Sequence, residues 1–149
     1  MINANPKDYY APMHTTEHIL NQTMVRTFNC DRSFSNHIEK KKSKCDYKFD
    51  RDLTAEEITE IENKVNEQLR KNHDVTEEII SLEQAEKLYN ISKLPEDFGT
   101  SVRIVHIGDY DSCPCSGVHV KNTGEIGTFK IISTSFENNV LRIRFKLIN

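Results

Sequence analysis

The chain has 149 residues, 29% of them charged, a net charge of −3 and a mean hydropathy of −0.63. These values suit one globular domain with a core of its own. They exclude a membrane-spanning helix, because no stretch approaches the roughly 20 apolar residues that a span requires. With 5 Gly and 4 Pro the composition argues against disorder, and a slightly acidic total means that any nucleic-acid site must rest on a local patch. The polar run Met1–Lys7 lacks the apolar core of a signal peptide. The expected compartment is therefore the cytoplasm, and reduced thiols are the expected state of Cys30, Cys45, Cys113 and Cys115.

A first helix is predicted over Pro12–Phe28, with Pro12 in the first turn. Its apolar residues, Ile19, Leu20, Met24, Val25 and Phe28, cover a broad arc, which predicts packing on more than one side. Short strands follow near Phe34–Glu39 and Lys44–Phe49, the second with Cys45, Tyr47 and Phe49 on one face. Thr54 and Glu57 form a capping box for a second helix, in which Ile58, Ile61, Val65 and Leu69 recur at helical spacing through about Lys71. A strand near Thr76–Leu82, a short helix near Glu83–Asn90 and a loop at Pro95–Gly99 come next. The last third reads as sheet: Val102–Ile107, then Phe129–Ser133 and Val140–Leu147 joined around Glu137-Asn138-Asn139. In the final strand Leu141, Ile143, Phe145 and Leu147 face one way, and Arg142, Arg144 and Lys146 the other. The expected fold is α+β, a mostly antiparallel sheet packed with helices in a single domain over residues 1–149.

His14 and His18 lie one helical turn apart, so both imidazoles can address one ion. Cys115-Ser116-Gly117-Val118-His119 offers one thiolate and one more imidazole, with Gly117 expected to let the loop turn sharply. Two such halves make a four-ligand set for zinc. Glu17 adjoins the second histidine rather than the first, which excludes the zincin motif. Cys113-Pro114-Cys115 likewise does not match the deaminase pattern. From spacing alone the two motifs are either coincidental surface features or a shared metal site, and a shared site is either catalytic or a closed structural clip. Cys113 reads as a small buried residue, a spare ligand or a redox-sensitive neighbour. Cys30 and Cys45 read as core residues.

The sequence resembles a known family. His14-Thr15-Thr16-Glu17-His18-Ile19-Leu20 is similar to the His-Thr-x-x-His-Leu-Leu motif of alanyl-tRNA synthetase editing domains, and Cys115-Ser116-Gly117-Val118-His119-Val120 to their Cys-Gly-Gly-Thr-His-Val. Thr123-Gly124-Glu125-Ile126-Gly127, the Phe129-Lys130-Ile131 run, the Lys44–Tyr47 strand and the Leu53–Glu57 helix start match in the same order, from about Tyr10 to Ile132. Threonyl-tRNA synthetase editing domains share the two ligand motifs. The length makes the chain like the freestanding AlaX proteins in their short form, without a leading glycine-rich barrel. Ser116 and Val118 depart from the family pattern, and Cys113 adds a second thiol.

The resemblance implies a trans-acting, zinc-dependent hydrolase that deacylates mischarged tRNA, seryl- or glycyl-tRNA for alanine, with His14, His18, Cys115 and His119 as the metal ligands. Aminoacylated tRNA is then the partner, with no membrane and no DNA. The run Lys40, Lys41, Lys42 and Lys44 is a candidate contact to the tRNA backbone, and Arg142, Arg144 and Lys146 a second basic row. The competing expectations are hydrolysis of another small acyl ester and a non-catalytic zinc module that binds RNA or protein.

Overall fold

The computed structural model describes residues 10–89 and 100–148. Helix α1 spans Ala11–Phe28, β1 Ser35–His37, β2 Ser43–Lys48, α2 Ala55–Arg70, β3 Val75–Ser81, α3 Leu82–Leu88, β4 Ser101–Ile107, β5 Asp111–Pro114, β6 Thr128–Glu137 and β7 Val140–Ile148. The strands form two antiparallel sheets rather than one, in the orders β1-β2-β7-β6 and β3-β4-β5. The fold is α+β, as expected. The segment Pro95–Gly99, and Asn90 at the end of the expected short helix, lie outside the described residues.

The Thr54–Glu57 capping box is present in both directions: the Thr54 hydroxyl accepts from Glu57 N–H at 3.1 Å, and Glu57 accepts from Thr54 N–H at 2.9 Å. The β6–β7 connection is a two-residue turn. Asn138 and Asn139 have φ of 52° and 63°, the left-handed pair that matches strand twist and that asparagine tolerates. Strand β6 is longer than expected because it pairs with β7 up to the turn at Glu137, and one extra residue, Ile132, is accommodated as a bulge between Ile131 and Ser133. The bulge re-phases the strand, so residues past it alternate in the opposite sense. Strand β5 is not expected from the sequence: Asp-Ser-Cys-Pro carries no alternating apolar signal, and it pairs with β4 through its backbone and a His106–Ser112 side-chain contact of 2.7 Å.

The main core joins α1, α2 and the inner face of the four-stranded sheet, with Ile19, Leu20, Met24, Ile61, Val65, Phe129, Leu141, Ile143 and Phe145 all essentially inaccessible. A smaller cluster of Ala85, Val102 and Ile104 lies under α3. Asn66 pins α2 to the sheet, donating to Phe129 C=O at 2.9 Å and accepting from Phe129 N–H at 2.7 Å. The Thr123–Glu125 segment is a tight 3-10 turn. Asn122 caps it, accepting from Gly124 N–H at 2.8 Å, and Thr123 accepts from His73 N–H and donates to Leu69 C=O. A side chain at Gly124 would meet Asn72 Oδ1 at 2.3 Å, so the Asn72 side chain would have to move to admit one. The Thr-Gly-Glu run therefore docks the chain beyond the ligand loop against the end of α2. It does not reach the ligands.

Candidate metal centre

Helix α1 is buried on almost every side, His14, Thr15, Thr16, Glu17, His18, Asn21 and Thr23 included. Polar groups withdrawn from water must find partners within the protein. Thr16 and Thr23 donate back to the Pro12 and Ile19 carbonyls one turn earlier. Glu17 and Asn21 are answered by each other and by Ser33, and the partners of the histidines and of Thr15 come from the second half of the chain.

The structure brings His14, His18, Cys115 and His119 together, with one donor atom from each lying within 4.8 Å of the others. His14 Nε2 and His119 Nε2 are each 3.4 Å from Cys115 Sγ. Nitrogen and sulfur ligands of a tetrahedral zinc sit about 3.6 Å apart, so the donor set fits that ion. The outer nitrogens are also placed. His14 Nδ1 is 3.1 Å from Val118 C=O, to which it can donate, and this contact turns Nε2 toward the centre. His119 Nδ1 is 3.0 Å from the Thr15 hydroxyl, which also accepts from Val120 N–H at 3.2 Å. His18 Nδ1 meets no directed hydrogen bond but faces Asp111 Oδ2 at 3.4 Å, an ion-pair separation.

Asp111, on β5, is the anchor that sequence reasoning missed. Its side chain is fully enclosed and receives Arg32 at 2.6 and 3.3 Å and Gln22 at 2.9 Å. Burial raises its pKa, but the neighbouring His18 imidazole and the Arg32 guanidinium outweigh that and hold it well below the usual carboxylate range. No sequence signal marks it, because its partners stand 79 to 93 positions away.

The ligand loop is clamped from below by Arg103 on β4. Its guanidinium donates to the Cys115 and Gly117 carbonyls at 2.9 and 2.7 Å, and it pairs with Glu77 at 2.7 Å. Gly117 does not adopt a positive φ, which corrects the expectation that the loop needs glycine's extra freedom. Its N–H instead points at Cys115 Sγ, 3.4 Å away.

The electrostatics suit a thiolate. Burial would raise the Cys115 pKa, but hydrogen bonds from His119, His14 and His18 and the charge of His18 bring it down to about 2. Burial, with the charges of His18 and His14, depresses His119 to about 4 against the pull of Cys115. His18 moves the other way: burial lowers it, but Asp111, Cys115 and Glu17 together raise it well above the ordinary value. Burial raises the thiols of Cys113 and Cys30. Cys113 is half-buried on β5, and Cys45 lies in the core.

Glu17 is placed differently from what its motif suggests. It is buried beside the ligands, with Oε1 3.9 Å from His14 Nε2. Its Oε2 accepts from the Asn21 amide, whose oxygen in turn accepts from Ser33 N–H at 2.8 Å. The lysine run is divided. Lys40 sits with its ammonium 5.8 Å from the Tyr10 ring, Lys41 is exposed, and Lys42 and Lys44 line a groove with Arg142 and Arg144. The structure thus merges part of the run with the second basic row.

Residues 102–143 match the family described as the threonyl and alanyl tRNA synthetase second additional domain. Alanine–tRNA ligase of Fervidobacterium nodosum is 39% identical over 123 residues, 82% of this chain and 14% of the ligase. That of Petrotoga mobilis is 35% identical over 132 residues, covering 87% and 15%. That of Rickettsia typhi is 48% identical over 83 residues, covering 56% and 10%. The chain belongs to the alanyl-tRNA synthetase editing-domain family. It spans about a seventh of the length of the ligases from Fervidobacterium and Petrotoga, so the editing-family relationship concerns one region of those enzymes.

Two outcomes follow from this geometry. In the metal-free protein, Cys115 is a thiolate throughout the range above its depressed pKa. Its alkylation by iodoacetamide should therefore vary little between about pH 5 and 8, whereas Cys113 and Cys30, held above the ordinary thiol value of about 8.5, accelerate as pH rises. Peptide mapping of the alkylated protein reads this directly, and added zinc should protect Cys115. Second, Asp111→Asn should weaken zinc binding by roughly 10- to 100-fold, measured by competition with a chromophoric chelator.

Proposed function

We propose that the protein is a zinc-dependent aminoacyl-tRNA deacylase that hydrolyses the ester joining serine or glycine to the 3′ end of tRNA for alanine, acting in the cytoplasm. The observation that carries this reading is the convergence of three oriented imidazoles and one thiolate at zinc spacing, in a chain related to alanine–tRNA ligases. The reaction adds water across the ester, breaking the acyl C–O bond and releasing the amino acid and the terminal ribose hydroxyl.

When bound, zinc supplies a Lewis acid for a substrate or water oxygen. The chain's own groups supply orientation. Val118, Thr15 and Asp111 fix the three rings from outside, so His14, His119 and His18 can present unprotonated nitrogens inward. Glu17 presents an anion at the edge of the centre, held by Asn21 on the side facing away from His14. It suits the α-ammonium group that an aminoacyl ester carries and an ordinary acyl ester lacks. Lys42 and Lys44 offer charge to the tRNA backbone away from the ligands.

A four-ligand set is also that of a closed structural zinc, and this favours a second reading in which the ion ties α1 to the ligand loop. Chelation separates the two. The apolar cluster that joins α1, α2 and the four-stranded sheet is built from side chains other than the ligands, two of which, His14 and His18, are buried on α1 beside it. A catalytic ion, once removed, should abolish hydrolysis of seryl-tRNA for alanine while leaving most helical circular dichroism. A structural ion should take the helical signal with it. His18→Ala should lower deacylation more than about 100-fold, beyond what losing an outer-shell partner costs. Zinc-loaded protein that hydrolyses no mischarged tRNA would overturn the proposal.

The Glu17 assignment has its own check. Glu17→Gln should lower kcat/KM for seryl-tRNA by roughly 10- to 100-fold, the value of a charged hydrogen bond. The same change should leave hydrolysis of N-acetylseryl-tRNA unaltered. Equal losses on both substrates would show that Glu17 does not read the ammonium group.

A further inference from the structure

The four-stranded sheet has one face in the core and one away from it. On the outer face, register places Lys44 of β2 directly opposite Arg144 of β7, and Lys130 of β6 directly opposite Lys146 of β7. Both are like-charge pairs on neighbouring strands, an arrangement that destabilises a sheet unless an anion relieves it. The two rows lie two residues apart along β7, about 7 Å, a separation suited to successive phosphates of a polynucleotide strand. Lys42 adds a fifth cation at the rim.

The acids nearby are already committed. Asp46 takes Arg142 through two hydrogen bonds of 2.7 and 2.9 Å, and Glu39 takes His37 at 2.8 Å. Among the described residues, Lys42, Lys44, Lys130, Arg144 and Lys146 have no carboxylate within ion-pair distance. The nearest polar partners of Arg144 are the Ser133 and Ser135 hydroxyls, both at 3.4 Å. Those hydroxyls face outward because the bulge at Ile132 re-phases β6. The turn that carries Lys42 is fastened: the buried Ser43 hydroxyl accepts from Glu39 N–H at 2.9 Å and donates to Glu39 C=O at 3.0 Å. A groove of about 280 Å³ runs between Lys42, Lys44, Arg142 and Arg144. Five cations without a direct ion pair on one face of a chain whose net charge is −3 are a local concentration of charge and not a reflection of composition.

We propose that the outer face of the four-stranded sheet, through Lys44, Arg144, Lys130 and Lys146 with Lys42 at its rim, is a docking surface for the phosphate backbone of RNA, on the side of the sheet away from the metal centre. The choice of RNA rests on the deacylase reading above. The face engages the body of the RNA while a 3′ end reaches the ligands, and it reads backbone charge rather than sequence.

The test uses the full chain loaded with zinc and an unacylated transcript of tRNA for alanine, with binding followed by fluorescence anisotropy between about 50 and 200 mM salt. Each phosphate contact contributes roughly 0.7 to 0.9 to the slope of log K against log salt. Lys44→Ala with Arg144→Ala should therefore make the slope shallower by about 1.5, and adding Lys130→Ala and Lys146→Ala by about 3. Lys87→Ala, on α3 beside Glu83, should change nothing. Because the alanine variants relieve like-charge repulsion, their urea midpoints should equal or exceed that of the parent, which separates lost binding from lost folding. An unchanged slope in the fourfold variant, or no measurable binding by the parent, overturns the proposal. So does a loss confined to vesicles of phosphatidylserine and phosphatidylcholine. Deacylation distinguishes the two ideas. Hydrolysis of seryl-tRNA with an unchanged slope sinks the docking face and leaves the deacylase. Slopes that fall as expected without any hydrolysis support the face and sink the deacylase.

Discussion

The structure depends on one demand: a helix that has been buried with its polar residues still on it must have each of them answered. Helix α1 carries two histidines, a glutamate, an asparagine and three threonines into the interior. Leaving such groups unpaired costs far more than a net hydrogen bond returns. The answers come from Asp111 and Tyr110 at the start of β5, from Val118, His119 and Val120 in the ligand loop, and from Ser33 after the helix. The contact between the two halves of the molecule is thus set by hydrogen-bond matching as well as by apolar area. The same matching that satisfies α1 orients the imidazoles.

This economy explains how few residues carry two duties. Thr15 answers His119 and the Val120 amide at once, so the second half of the ligand loop cannot shift without stranding a buried hydroxyl. Arg103 does the same from the other side, holding the Cys115 and Gly117 carbonyls while the Cys115 N–H returns to the Arg103 carbonyl. A thiolate gathered among three imidazoles is stable in this setting because burial, which opposes its charge, is outweighed by the hydrogen bonds it receives.

What could be read from the sequence was local, and what could not was lateral. The Thr54–Glu57 box, the Asn138-Asn139 turn and the His14–His18 spacing are each decided within a few residues, and each is where the sequence places it. Strand β5 escaped because Asp-Ser-Cys-Pro has neither alternation nor β-branched residues, and its pairing with β4 provides what its propensity does not. Asp111 escaped for a related reason: a lone acid in a polar stretch is ordinary until a distant helix closes over it. The basic rows were visible as residues but not as pairs, since Lys130 meets Lys146 only in the observed register, and Ser133 reaches Arg144 only past a bulge. Glu17 was set aside on a motif rule about its neighbour, whereas its helical offset of three from His14 is what brings it to the centre.

The ligands also carry a consequence for how the molecule comes into being. His14 and Cys115 are 101 positions apart, and among the described residues nothing nearer in the chain to α1 completes the donor set. A nascent chain that has made only its first hundred residues holds His14 and His18 but not yet Cys115 and His119. The ion therefore has no preassembled seat until β4, β5 and the loop have docked. Closing so long a loop is slow, and in this molecule it must come before the four residues could coordinate an ion. Metal occupancy would then report that folding has finished, and a chain stalled with β5 undocked would remain empty however much zinc surrounded it.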